Sequence, residues 1–364
     1  MRLLLGLIAV SILVVACGET TRVVGASGSP AQTPTPSASR ESPIAAATAA
    51  PTSTRTATPQ PTTATDRIRA QVDSIDPDKM GDHLAALTAV GSRDPRNPGH
   101  AKAVAYIKEQ LNANAYLGWK IESQRTVYQG IPLENIFATI DPPAGAAATG
   151  WILISAHYDS TANRTPGWRP AIDPAPGADD NGTGTAALLE FQRVLSKWRA
   201  AGNLRSRIVL AFFDGEELFF KGSGAYVATL QKPYPYKAAI NLDMVGYNPI
   251  ADRLDLLWYT NASAGLRDRV IKANATYGIG VSPLNAQYAA DGNTIMDAAP
   301  FGIAGIPSIA LCQRYGENDA TFPGNYTFHT VGDTLDKITN KRLWLKAAKL
   351  TLATALELAD DPSG

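Results

Sequence analysis

Five apolar runs, each too short for an independent helix, are strung along the chain: NIFATI (135–140), WILISAH (151–157), RIVLAFF (207–213), AAINLDM (238–244) and IPSIALC (306–312). Runs of this length bounded by Gly, Pro and polar residues read as buried strands. Helical periodicity fills the spaces between them, notably in TGTAALLEFQRVLSKWRA (183–200) and RLWLKAAKLTLATALEL (342–358). Two earlier helical patterns, around HLAALTAV and AKAVAYIKEQL, are separated by the Gly- and Pro-marked loop GSRDPRNPGH. Strands alternating with helices leave few solutions. The sequence predicts an α/β fold: one domain with a mixed, mostly parallel central β-sheet flanked by helices on both faces.

That domain does not fill the chain. Residues 1–17 begin with Met1 and Arg2, continue through an apolar run from Leu3 to Ala16 and end at Cys17. The run has the positive start and small-residue finish of an export signal and is short for a spanning helix. Val14-Val15-Ala16-Cys17 resembles the bacterial lipobox, which implies lipidation of Cys17 and an extracytoplasmic protein anchored to the membrane, or secreted if the cysteine is not lipidated. Residues 18–65 are rich in Ala, Pro, Ser and Thr, a mixture unable to bury enough surface to offset chain entropy. They read as a tether, with the globular domain over 66–364.

Composition narrows the chemistry. Basic and acidic side chains balance at 33 each, and no basic cluster offers nucleic acid a footing. The only cysteines are Cys17 and Cys312, so the domain can form no internal disulfide and a cysteine metal cage is excluded. Cys312 ends an apolar run and reads as a buried core thiol. A metal would have to be held by His and carboxylates.

In open α/β sheets ligands bind at the carboxyl ends of strands, and the polar residues there form a coherent inventory. The first end gives His157-Tyr158-Asp159 and the loop before the 183–200 helix gives Asp179-Asp180. Later ends give Asp214, Glu216 and Glu217, then Asp243, and a long insertion leads to Phe328-His329-Thr330 and Asp333. Two histidines with several carboxylates suit zinc or a similar divalent ion. Taken singly, these residues have plainer readings: Asp179-Asp180 as a turn and helix cap, Glu216-Glu217 as solvated loop charges, His157 as a hydrogen-bonded histidine.

The segments HYDS, GADDNGTG, DGEE, NLDMVG and FHTVGDT, in this order, resemble the metal-site motifs of the zinc aminopeptidases of the peptidase M28 type. The resemblance implies two divalent metal ions, most simply Zn2+, and peptide substrates with a free amino terminus. It implies Asp180 as the carboxylate bridging the two ions, His157 and Asp243 completing one site, and Glu217 and His329 completing the other. Glu216 is then the general base facing an activated water. Asp159 is expected to accept the second imidazole N–H of His157, and Asp333 to do the same for His329. Tyr288, with Asp291 nearby, falls in a segment similar to one that supplies an oxyanion-stabilising tyrosine, although the usual Ser-Asp-His is absent there and Tyr315 competes for the role.

Leu218-Phe219-Phe220 departs from the family pattern, which often has glycine two residues after the paired glutamates. The three are read as packing inward, with a pocket wall as the alternative. His83 and His100 receive no chemical role. Two other functions stay open: a glutaminyl cyclase-like acyltransferase using a single zinc, against which GADDNGTG and Phe328 argue, and a non-catalytic binding module of the same fold.

Overall fold

The structure, a computed structural model, describes residues 63–146, 150–289, 295–313, 318–319 and 322–360. The signal-like segment with Cys17, the tether as far as residue 62, Asp291 and Tyr315 lie outside the described residues.

Eight strands form one sheet: β1 (Trp119–Tyr128), β2 (Ile131–Ile140), β3 (Trp151–His157), β4 (Arg207–Phe213), β5 (Tyr236–Asp243), β6 (Leu254–Trp258), β7 (Leu284–Tyr288) and β8 (Ser308–Cys312). Their spatial order is β1-β2-β4-β3-β5-β8-β6-β7. The central strands β4, β3, β5 and β8 run parallel, whereas β1, β2 and β6 pair antiparallel with their inner neighbours. Among the described residues eight α-helices accompany the sheet: α1 (Ala64–Val72), α2 (Pro77–Ala89), α3 (Pro98–Ala113), α4 (Thr183–Ala200), α5 (Lys221–Thr229), α6 (Ala264–Thr276), α7 (Ala298–Ile303) and α8 (Lys341–Asp360).

Side chains of a strand alternate between faces, and the central strands bury both. Ile152, Ile154, Ile208, Leu210, Ile240 and Leu242 join a large core with residues of α1 to α4, α6 and α8. Their sequence neighbours Leu153, Val209, Ala211 and Ala239 face a smaller core containing Phe301 of α7. This two-sided burial is why these segments read as uninterrupted apolar runs.

Strands β1, β6 and β7 are absent from the apolar-run reading. The outer strand β1 pairs only with β2 and alternates between buried or half-buried and exposed residues, and the opposite edge β7 is half-buried or exposed throughout. Edge strands need no apolar run, and the apolar run of the interior strand β6 is broken by Asp255. The first helix starts just ahead of Asp66: the Thr63 Oγ1 accepts the Asp66 N–H at 3.1 Å, and the Thr63 N–H donates to the Asp66 carboxylate at 3.3 Å. This reciprocal cap starts α1 at Ala64.

From β3 the chain crosses to β4 on one side and later to β5 on the other. The carboxyl end of β3 is therefore a topological switch point, where the flanking loops diverge and leave a crevice.

Candidate active site

Parallel pairing places the ends of β3, β4 and β5 together. His157 is the last residue of β3 and lies in register with Phe213, directly before Asp214-Gly215-Glu216-Glu217. Asp243 ends β5. Asp180 sits in the turn Ala178–Gly182 leading into α4, and His329 comes from the loop before α8.

The two carboxylate oxygens of Asp180 face different histidines. Its Oδ1 lies 3.3 Å from Nε2 of His157, and its Oδ2 lies 3.0 Å from Nε2 of His329. Asp243 Oδ1 stands 3.4 Å from the same His157 nitrogen, and Glu217 Oε2 stands 2.9 Å from that of His329. Glu216 belongs to the first trio's surroundings: donor atoms of His157, Glu216 and Asp243 all fall within 4.8 Å of one another, as do those of His157, Asp180 and Glu217. Ligands bonded at about 2.0 Å to a tetrahedral ion stand about 3.3 Å apart, which is the spacing seen here. Three polar atoms of these residues, His157 Nε2, Glu217 Oε1 and Asp243 Oδ1, are buried without a hydrogen-bond partner. Buried polar atoms are otherwise nearly always satisfied, so the donor set fits divalent cations.

The electrostatics agree. Burial, with its neighbouring carboxylates, pushes Glu216 well above the ordinary carboxyl range, and burial together with the Asp180 charge raises Glu217 to about 7. Burial also raises Asp243. Both histidines lose hydration, yet the surrounding carboxylates outweigh that loss, holding His157 well above its usual value and His329 at about 11. A dense buried group of acids needs compensating positive charge, which the two imidazoles only partly provide.

The turn after β4 explains how adjacent glutamates serve one site. Gly215 has φ +66°, and a Cβ there would meet Leu133 Cδ1 at 2.8 Å. The Phe220 N–H bonds to the Glu216 carbonyl and the Lys221 N–H to that of Gly215, each at 2.9 Å. Asp159 fixes the turn from below: its two oxygens accept the N–H groups of Glu216 and Glu217 at 3.1 and 3.2 Å. The same carboxylate stands 3.4 Å from Nδ1 of His157, which also contacts the Asp159 carbonyl at 3.2 Å. Asp159 thus orients both the imidazole and the glutamates, a wider part than the sequence suggested.

Asp333 differs from its expected place beside His329. Its carboxylate accepts the N–H groups of Asp179 and Asp180 at 3.0 to 3.2 Å and so holds the Asp180 turn. Asp179 is a buried anchor in that turn: its carboxylate takes bonds from the Gly246 N–H and Asn325 Nδ2 at 2.8 Å and from Gln313, and burial raises its pKa to about 7. His329 is set by its backbone, whose carbonyl accepts the Arg164 N–H at 2.9 Å.

Two further groups escaped sequence reading. Arg93, fully buried, donates to the carbonyls of Tyr158, Pro176 and Gly177 at 2.6 to 2.7 Å, joining the loops that carry His157 and Asp180. His100 donates toward Asp214 at 3.0 Å and stacks on Tyr158, while Asp214 accepts the Glu134 N–H at 2.7 Å. The signal in both cases was a charged residue in a Gly- and Pro-rich loop, which carries no hint of burial.

A cavity of about 300 Å3 opens over the centre, lined by Asp180, Glu216, Glu217, Asp243 and His329 together with apolar side chains including Met244, Met296, Phe220 and Phe328. Phe219 also lines it and is 79 % exposed, so it does not pack inward. Phe219 and Phe220 adopt φ +67° and +59°, a left-handed backbone costing roughly 1–2 kcal/mol for each non-glycine residue. Tyr288 is not among the lining residues: it ends the edge strand β7, its ring 4.5 Å from that of Trp258.

Residues 135–354 match the family model described as Peptidase family M28. Leucine aminopeptidase 1 of Coccidioides posadasii (strain C735) is 27 % identical over 308 residues, covering 79 % of this chain and 72 % of the relative. Among solved structures, the LapA aminopeptidase of Legionella pneumophila superposes with a TM-score of 0.65 at 22 % identity, covering 81 % of this chain and 75 % of that one. Glutaminyl cyclase of Porphyromonas gingivalis superposes with a TM-score of 0.64 at 23 % identity, covering 78 % and 99 %.

Proposed function

The chain belongs to peptidase family M28, whose model covers more than half of it, and from that membership we propose an extracytoplasmic metalloaminopeptidase that removes residues from the free amino terminus of peptides with two divalent ions, zinc by preference. The observation that carries this reading is the pair of oxygens on Asp180 facing two separate histidines, each backed by a further carboxylate. Asp180, His157 and Asp243 would hold one ion, and Asp180, Glu217 and His329 the other. Such ions supply Lewis acidity toward the scissile carbonyl and make water a better nucleophile near neutral pH.

The protein's own groups do the remaining work. Glu216 takes a proton from the attacking water and passes it to the leaving nitrogen. Its burial, which raises its proton affinity, suits a carboxylate that must hold that proton between the two transfers. Asp159 keeps Glu216 in reach by gripping its N–H and limits rotation of His157. Asp333 and Arg93 hold the backbone of the Asp180 loop. The neutral α-amine of the substrate binds at the centre, so an acylated amino terminus is excluded.

The Cys17 motif adds a lipid anchor, which would place the domain at a membrane surface on its Ala/Pro/Ser/Thr-rich tether. Cys17→Ser should release the chain from membranes, and a variant still bound after salt washing removes the anchor from the proposal.

The decisive assay gives the purified protein Leu- and Ala-anilides, their N-acetylated counterparts and a Gln-initiated peptide, with free amine and ammonia measured separately. The proposal expects cleavage of the free-amine anilides alone. Ammonia from the Gln peptide with no anilide cleavage would replace it with a glutaminyl cyclase-like acyltransferase, and silence on every substrate with metal bound would leave a binding module.

A further inference from the structure

Phe219 is costly in two ways that the fold itself does not repay. Its backbone lies at φ +67° and the next residue, Phe220, at +59°, where glycine would sit freely and phenylalanine does not. Its ring is left open to water, alone in this among the described apolar residues that line the cavity. Packing does not require this arrangement, because a turn built on glycine would take the same path. An exposed aromatic ring that belongs to the apolar lining of a cavity is placed where a bound ligand would cover it.

The position tells which part of a peptide would cover it. An aminopeptidase substrate has its amine at the acidic centre and must leave through the open mouth. Met244 and Met296 line the same cavity but are buried, which suits them to the enclosed amino-terminal residue. Phe219, exposed and two residues beyond Glu217, is placed for the peptide's second residue, on the far side of the scissile bond. The neighbouring cation does not compete there, since Lys221 Nζ lies over the Tyr128 ring at 4.7 Å.

We propose that Phe219 is a specificity-determining platform for the residue on the carboxyl side of the scissile bond, favouring peptides whose second residue is large and apolar, aromatic above all. This rests on the aminopeptidase reading above. The contact is a stacking and apolar-burial interaction made on the leaving-group side, so it acts on peptides and is invisible with small leaving groups.

The test compares Leu-Phe-amide with Leu-Gly-amide in wild type and Phe219→Gly, the substitution that suits the backbone angle and should leave the melting temperature equal or higher. Wild type should prefer Leu-Phe-amide, and Phe219→Gly should lower kcat/KM for it by about ten-fold while leaving Leu-Gly-amide unchanged. Phe219→Trp should retain the preference. Equal losses on both peptides, or none, overturn the proposal. Calorimetric titration of the two amides into metal-loaded Glu216→Gln, with and without Phe219→Gly, reads the same preference as binding. Selective binding without cleavage by wild type would keep the platform and remove the peptidase function, whereas cleavage without discrimination would do the reverse.

Discussion

The carboxyl ends of β3, β4 and β5 and the outer strand pair β6–β7 are built by opposite means. At the strand ends, buried charged groups each hold several backbone atoms: Arg93 three carbonyls, Asp159 two N–H groups and Asp333 two more. At the edge, Tyr288 lies against Trp258, and Arg267 caps the same indole at 4.7 Å. The first arrangement is expensive to desolvate but fixes loops with little freedom. The second loses little if a ring drifts. Metal ligation tolerates errors of only tenths of an ångström, and the polar anchoring is concentrated where that tolerance applies.

The sharpest way to probe the anchored region is at its centre. Glu216→Gln keeps shape but cannot accept a proton, so hydrolysis should fall by about 10²–10⁴-fold with metal content unchanged. Asp180→Ala should lose metal as well as activity, because one carboxylate faces both histidines. Metal analysis beside a rate assay separates the two, and a Glu216→Gln chain retaining more than a small fraction of the rate would give the proton transfer to another group.

Next in size is the anchoring itself. Arg93→Met leaves buried carbonyls unpaired and removes a positive charge beside Asp333, Asp159 and Asp180, and should destabilise by about 3–5 kcal/mol in chemical denaturation. A loss below about 1 kcal/mol would mean that the guanidinium behaves like a surface group and the contrast with the edge fails.

The edge should respond weakly. Tyr288→Ala should cost about 1 kcal/mol of stability and leave kcat/KM within assay error. A drop of about 10²–10³-fold would reinstate the oxyanion role drawn from sequence and collapse the distinction between the regions.

The smallest effect is a pH dependence. Burial opposes a charged His100, but its bond to Asp214 and that carboxylate's charge raise the pKa above the ordinary histidine value. A raised pKa contributes stability in full below about 6.5, and that stability is lost as pH climbs through the folded value. The advantage of wild type over His100→Gln in unfolding free energy should therefore be largest in mild acid and shrink toward alkaline pH. A difference that grows with pH would reverse the sign of the assignment.

Much of this was open to a reader of the chain alone. Strands β2, β3, β4, β5 and β8 announced themselves because burial on both faces makes them largely apolar, as Ile152 to Ile154 and Ile208 to Leu210 show. His157, Asp180, Glu216, Glu217, Asp243 and His329 stood out because the motifs that carry them resemble, in order, those of the M28-type zinc aminopeptidases. Edge strands β1 and β7 were hidden, since half-exposed residues leave no unbroken apolar signature. Tertiary structure alone decided which acids face the centre and which hold its walls: Asp333 looked like a partner of His329 but grips the Asp180 turn, and Arg93 gave no sign of burial. It also turned Phe219 outward, through a backbone angle that its residue type disfavours. Local chemistry is written in residue order because side chains carry it wherever they go, whereas the direction a side chain faces is set by neighbours distant in sequence, which only the folded chain brings together.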